Sequence, residues 1–471
     1  MSPRASLKLC LAVSGGLDSV ALLKLVLQWR SGLPLARRAD LRIVHVDHQL
    51  RADSKVAARF CRALGKRLGV TCKVLTIQVP RRAGESLEAA AREARYSAIA
   101  GVLRAGEWMV TAHHRDDQLE TLLLQLMRGA GVAGLASMSE ISREPLAIFR
   151  PLLNVERDEL SAWLQHQGET WIEDESNRDL RFDRNFLRHE IVPLLKSRWP
   201  AAARVATRSA LHLGEAKTLL RDLASLDLAA VAIEHALDIA ALQSLSIARQ
   251  RNVLRHWLAD RGLSMPDAAH LERVRYELTT ARADAQPLVR WPGGEVRRYR
   301  GALYALHDAR VTPPEVGCGS KSCVWHWRRQ EKWPLGPGLG SLRWQDDPHG
   351  NVAAAKLPAR LTVVQRHGGE RLRVRSGGPR QSVKELLRVT GVLPWERERL
   401  PLLLDGDEVV AVGHLFVAAE YQYSGKQHRD DQRSGQQLRG SGRKGDRRLR
   451  LVWEDAPSVL AVGGSARGRG R

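Results

Sequence analysis

Over the first two hundred residues, short apolar runs alternate with longer stretches of helical period. Residues 7–13 (LKLCLAV) predict a strand and residues 20–28 the helix that follows it. Residues 41–46, 73–79 and 108–112 predict further strands. Residues 86–103 are Ala-rich and predict a helix, with Glu85 just before it and Glu88 in its first turn. Residues 116–127 predict another helix, ending near Gly129. Such alternation predicts an α/β class domain, a doubly wound parallel sheet covered by helices, with ligands at the carboxyl ends of its strands.

The pattern changes from Pro151 onward. Residues 155–167 predict an amphipathic helix, 171–188 form a charged stretch, and 201–261 predict nearly continuous helix. A β pattern returns at 285–304, Pro and Gly dominate 312–340, and a second small α/β unit is expected over 361–421. Beyond Ser424 the composition is basic and of low complexity, and no structure is assigned there. The expected domains are 1–200, a mainly helical 201–311, an irregular linker 312–350, a small C-terminal domain 351–423 and a basic tail 424–471.

Charge alters the picture more than composition does. The formal net charge is +22 over 471 residues, which gives a polyanion such as nucleic acid a place as partner. The tail contributes, but Arg178, Arg181, Arg184 and Arg188 add to it far upstream. No run of eighteen uncharged apolar residues exists, so no membrane partner is expected. The start of the chain lacks the long apolar core of a signal peptide, and cytoplasm is the expected compartment. The five cysteines are too scattered for a disulfide framework, and Cys318 and Cys323 lack the spacing of a zinc or redox pair.

Candidate chemistry lies where the predicted strands end. The first strand runs into Ser14, Gly15, Gly16, Leu17, Asp18 and Ser19, and then a helix. Glycines let backbone amides approach an anion, the helix start adds positive charge, and the two serine hydroxyls can donate to phosphate. The Lys-Ser/Thr pair of a Walker loop is missing. Asp18 suits a phosphate site if Mg2+ stands between carboxylate and phosphates; its plain alternative is a helix cap. His45, Asp47 and His48 end the second strand, where capping and hydrogen bonding fit better than metal ligation. In TAHHRDDQLET (111–121), His113 ends a strand, and Asp117 and Glu120 share a face of the next helix. These carboxylates could cradle a cationic amine, and His113 could contact a phosphate or the reacting centre. Arg92 and Arg95 lie one turn apart and could face one phosphate, or simply pair with Glu88 or Glu93.

Taken in order, SGGLDS, VDHQLR, AAAREARY, TAHHRDDQLET, RGAG, RPLL, EDESN and RNFLR resemble the tRNA(Ile)-lysidine synthetase family of PP-loop ATP pyrophosphatases. Residues 374–415 are similar to that family's terminal domain, where Lys384, Arg397 and Arg399 become candidate tRNA contacts. The resemblance implies a PP-loop catalytic domain that uses ATP and Mg2+, with Asp18 as metal ligand. Asp18, Arg92, Arg95, His113, Asp117 and Glu120 become the candidate catalytic set. It also implies that the wobble cytidine of a tRNA(Ile) CAU anticodon is adenylated and then attacked by the ε-amine of L-lysine. A homodimer is an open expectation. Three rivals stay in view: a PP-loop tRNA thiolase, which needs sulfur-handling cysteines; a glutamine-dependent amidotransferase, which needs an ammonia source; and a plain RNA-binding protein, which leaves both motifs idle.

Overall fold

The computed structural model describes residues 7–49, 54–80, 87–173, 179–282, 285–307, 324–336, 339–423 and 447–455. The chain divides into two compact units, Met1–Leu223 and Ala224–Arg471.

The first unit opens with β1 (Lys8–Ala12), α1 (Leu17–Ser31), β2 (Asp40–Asp47), α2 (Ser54–Arg67), β3 (Thr71–Thr76) and α3 (Leu87–Ala100). It continues with β4 (Glu107–Val110), α4 (Arg115–Met127), α5 (Val132–Leu135), β5 (Ile141–Ser142), β6 (Ile148–Phe149) and α6 (Arg157–His166). Sheet order is β3-β2-β1-β4-β6-β5, parallel except for β5. Strand β1 lies between β2 and β4 and is buried on both faces, which explains its unbroken apolar run. Its side chains alternate: Leu9 and Leu11 pack with α1 and α6 residues such as Leu22 and Leu164, while Cys10 joins Val44, Ile99 and Met109 on the other face. Strand order reverses between β1 and β4, which opens a crevice at their carboxyl ends.

Helix α7 (Asp183–Phe186) leads into a π-helical turn (Leu187–Ile191), α8 (Val192–Arg198) and the long α9 (Ala202–Val231). The expected continuous helix over 201–261 is interrupted by β7 (Ala232–Ile233) and β8 (Ala236–Asp238) before α10 (Ile239–Ser244) and α11 (Ile247–Asp260). Helix α12 (Ala268–Thr280) and the strands β9 (Leu288–Trp291), β10 (Gly294–Tyr299) and β11 (Ala302–Leu306) follow. Pairing of Leu237 and Asp238 with Leu303 and Ala302 settles the hairpin, a long-range contact that local propensity does not register.

The region read as a linker contains β12 (Val324–Trp325), β13 (Lys332–Gly336) and β14 (Gly340–Asp346). Next come β15 (Val352–Ala353), β16 (Leu361–Gln365), β17 (Arg371–Leu372), β18 (Gln381–Ser382), α13 (Val383–Val389), α14 (Pro394–Arg397), β19 (Pro401–Asp405), β20 (Glu408–Val412) and β21 (Phe416–Val417). A last strand, β22 (Arg448–Glu454), lies inside the expected tail. It pairs with β14 and β15, burying Leu449, Leu451 and Trp453 on one face. The C-terminal part is mainly antiparallel sheet around Trp325, Trp344 and Trp453, with α13 and α14 as the helices of the small α/β unit. Cys318, Cys323, Arg51, Glu85, Arg178 and residues 424–446 lie outside the described residues.

Candidate active site

The loop after β1 turns at Gly15, whose φ of +93° favours glycine, and Gly16 caps α1. A Cβ at Gly15 would meet Phe60, Cys61 and Ile172 at 3.3–3.6 Å, so the backbone is pressed against its own domain. The Ser19 hydroxyl accepts from the amides of Ser14 and Gly15, both at 3.2 Å, and donates to the Gly16 carbonyl at 2.9 Å. Ser19 thus shapes the loop from within, whereas Ser14 is exposed at its lip. Leu17 sits in the hydrophobic core and can offer a ligand only its backbone.

Asp18 follows at the head of α1. Its Oδ2 lies 3.7 Å from Nε2 of His114, and its Oδ1 is buried without a hydrogen-bond partner, 3.6 Å from Nε of Arg157. An orphaned carboxylate oxygen beside a glycine loop at a helix start suits a hard divalent cation that takes one protein ligand and phosphates.

At the end of β4, His113 and His114 part ways. His113 Nδ1 is 2.8 Å from the Thr111 hydroxyl, and burial pushes its pKa down to about 3, so its imidazole is neutral. Burial also works against a charged His114, but Asp117 and Asp18 outweigh it and raise its pKa. Nε2 of His114 stands 3.4 Å from Asp117 as well, so this ring bridges the loop carboxylate and the helix carboxylate.

Asp117 and Glu120 come together as their spacing on α4 requires. Neither is vacant. Arg184 donates to Asp117 Oδ1 and Glu120 Oε2, both at 2.8 Å, while Arg188 reaches Asp117 at 3.0 Å and Glu120 at 2.7 Å. Burial opposes ionisation of Asp117, yet His114, Arg184, His113 and Arg188 hold its carboxyl far below the usual range. Neighbouring Asp116 points elsewhere, to Lys196 and the Arg157 amide, as successive helical residues must. Arg188 rides on the π-helical turn, a distortion often found at functional sites.

Arg92 and Arg95 meet different partners. Arg95 Nε donates to Nε2 of His48 at 3.2 Å, on the β2 side of the rim. Burial and Arg95 push the His48 pKa down to about 4, so this ring is a neutral acceptor. Arg92 instead reaches the Tyr96 hydroxyl at 3.3 Å and faces the β4 and β6 side, where it acts on His113 and Arg150. His45 hydrogen-bonds the Val13 carbonyl at 2.9 Å, and Asp47 accepts from the Gln49 amide at 2.9 Å, the hydrogen-bonding roles expected of them.

Sequence reasoning missed the bridging role of His114 and the setting of Arg150, and did not pair RNFLR with α4. A signal for the pairing existed: Arg184 and Arg188 are one turn apart, as are Asp117 and Glu120, with opposite charge. Of the expected RNA contacts, Lys384 is exposed, but Arg397 is engaged with the Val392 carbonyl at 2.8 Å and the Tyr299 hydroxyl at 3.0 Å. Arg399 is partly buried and acts on the carboxyl of Glu396.

Family profiles match three parts of the chain. A family profile described as the PP-loop domain matches residues 1–195. Profiles described as the TilS substrate binding domain and the TilS substrate C-terminal domain match residues 237–304 and 361–431. The chain is 42% identical to the tRNA(Ile)-lysidine synthase of Alkalilimnicola ehrlichii, covering 88% of this chain and 90% of that one. It is 39% identical to the tRNA(Ile)-lysidine synthase of Methylococcus capsulatus (87% and 92% covered) and 37% identical to that of Escherichia coli O157:H7 (88% and 94% covered).

Proposed function

From the premise that the chain belongs to the tRNA(Ile)-lysidine synthase family and is an ATP-dependent ligase, we propose that it joins L-lysine to C2 of the wobble cytidine in the CAU anticodon of tRNA(Ile). One observation carries the reading. His114 joins Asp18 of the phosphate-binding loop to Asp117 of α4, at 3.7 and 3.4 Å, so an ATP site and an amine-binding pair form one centre.

ATP lies over residues 14–19, with its phosphates against the loop amides and the start of α1. Asp18 would hold Mg2+, which would offset phosphate charge when bound. The cytidine O2 attacks the α-phosphorus and the bond to pyrophosphate breaks, leaving an adenylated base. The lysine ε-amine then attacks C2, AMP departs with O2, and a proton leaves the new nitrogen. Asp117, with its carboxyl held far below the usual range, is a poor proton acceptor and acts by holding positive charge. Arg184 and Arg188 fill the cation positions around Asp117 and Glu120 here, so the substrate amine competes for the same oxygens. Placement and charge stabilisation supply most of the rate, and an unstacked anticodon base can enter such a pocket.

The deciding experiment measures entry of labelled lysine into a tRNA(Ile) transcript with a CAU anticodon, beside Asp117→Ala. ATP-dependent incorporation that the variant loses supports the reading. A folded protein that consumes ATP with a sulfur donor, and never incorporates lysine, overturns it in favour of a thiolase.

A further inference from the structure

Three arginines among the described residues are less than a tenth exposed: Arg42, Arg150 and Arg298, at 6, 7 and 9%. Two of them have their charge answered. Arg42 donates through Nε and Nη2 to the two oxygens of Glu107, at 2.6 and 2.5 Å. Arg298 donates from Nη1 to the carbonyls of Leu278, Thr279 and Ala281 at 2.6–3.2 Å, at the negative end of α12.

Arg150 has no such answer. Its Nη1 reaches one carbonyl, that of Ser139, at 2.8 Å, and its Nε is buried without a hydrogen-bond partner. Among the described residues, the groups acting on its charge are burial, the Tyr96 hydroxyl and a second cation, Arg92, and none of them is a carboxylate. Arg92 stacks on the same tyrosine, its guanidinium carbon 5.0 Å from the ring centre. Burial lowers the pKa of Arg150, but a guanidinium keeps its proton regardless. A buried cation without a counter-ion is costly unless a ligand supplies the anion.

Place narrows the choice of anion. Arg150 follows β6, and β4 separates β6 from the phosphate loop on β1. His113, at the end of β4, feels Asp117 on one hand and Arg92 and Arg150 on the other. The guanidinium is too deep for an RNA backbone, and its planar fork with a free Nε suits a carboxylate. We propose that Arg150, seconded by Arg92, binds the α-carboxylate of the amino-acid substrate, so that its distal amine points to Asp117 and Glu120. The proposal rests on the reading of lysine as substrate.

The test compares L-lysine with L-lysinamide, which lacks the negative charge, in wild type, Arg150→Met and Arg92→Gln. Wild type should prefer lysine in kcat/KM by about tenfold or more. Arg150→Met should erase that preference by raising the KM for lysine alone. The KM values for ATP and tRNA, and ATP–pyrophosphate exchange without lysine, should stay within about twofold, the ordinary spread for an untouched step. Arg92→Gln, on a partly exposed helical position, should weaken the preference in the same direction and guards against a variant that fails to fold. An unchanged lysine-to-lysinamide ratio overturns the proposal, as does a variant whose defect lies in the KM for tRNA or ATP, which would assign the anion to a phosphate. A wild type that incorporates neither amine sinks the lysine reading itself, a separate outcome.

Discussion

Arg150 and Arg298 are buried to nearly the same depth, in different units, and each leaves Nε without a partner. Around Arg298 the chain has placed a helix end and three carbonyls. Around Arg150 it has placed a tyrosine hydroxyl, one carbonyl and another arginine. The contrast extends to the regions. In the second unit, Glu295, 0% exposed, is held by Arg290 and Arg297, and buried Asp227 is held by Arg249. At the rim of the parallel sheet, two carboxylates are shared by two arginines, while Arg92 and Arg150 gather nearby with no carboxylate acting on Arg150 among the described residues. Balanced buried charge builds the scaffold, and the separated charge is what the proposed zwitterionic substrate would answer.

The largest expected effect separates scaffold from site within one unit. Glu107→Ala strips Arg42 of its carboxylate far from the crevice and should cost about 3–5 kcal/mol of stability, read by urea unfolding. Next comes Glu120→Gln, which weakens the pair proposed to hold the amine. Lysine incorporation should fall about a hundred- to a thousandfold, with much less effect on unfolding because Arg184 and Arg188 keep some access to water. If Glu120→Gln instead unfolds the protein and spares activity, the rim is scaffold and the contrast is wrong.

Much of the first unit was legible because its signals are local. A strand running into SGGLDS, and a helix with carboxylates one turn apart, declare themselves in a few residues. What stayed hidden depends on long-range pairing. Strand β22 gains meaning only beside β14, about a hundred positions earlier, where Gln345 faces Arg450. The divergence of Arg92 and Arg95 was hidden too, since one helical turn does not say which strand end each side chain meets. Nor could composition reveal Arg150, because the feature that matters is the carboxylate missing from its surroundings among the described residues.

Glu396 is the apparent exception in the second unit. It is 4% exposed, burial pushes its pKa up to about 7, and Arg399 only partly opposes this. A carboxyl can resolve such a conflict by keeping its proton, which a guanidinium cannot. Because the folded pKa is above the unfolded one, its stability contribution is full below about pH 4 and is lost as pH rises to about 7. Wild type should lose up to about 3 kcal/mol relative to Glu396→Gln across that window. Parallel stability profiles for the two proteins would remove Glu396 from the argument.

The smallest effect is the sharpest, because the two arginines should differ in sign. Arg298→Met leaves the carbonyls of Leu278, Thr279 and Ala281 without their shared donor and should cost about 2 kcal/mol. Arg150→Met exchanges an uncompensated buried cation for an apolar side chain of similar reach, losing its bonds to the Ser139 carbonyl and the Tyr96 hydroxyl. Stability should be unchanged or rise by about 1 kcal/mol, because removing such a charge relieves its desolvation. A gain in stability with a loss of lysine selectivity would mark a residue retained for its ligand. A loss equal to that of Arg298→Met would make Arg150 a second structural arginine and erase the distinction between the two regions.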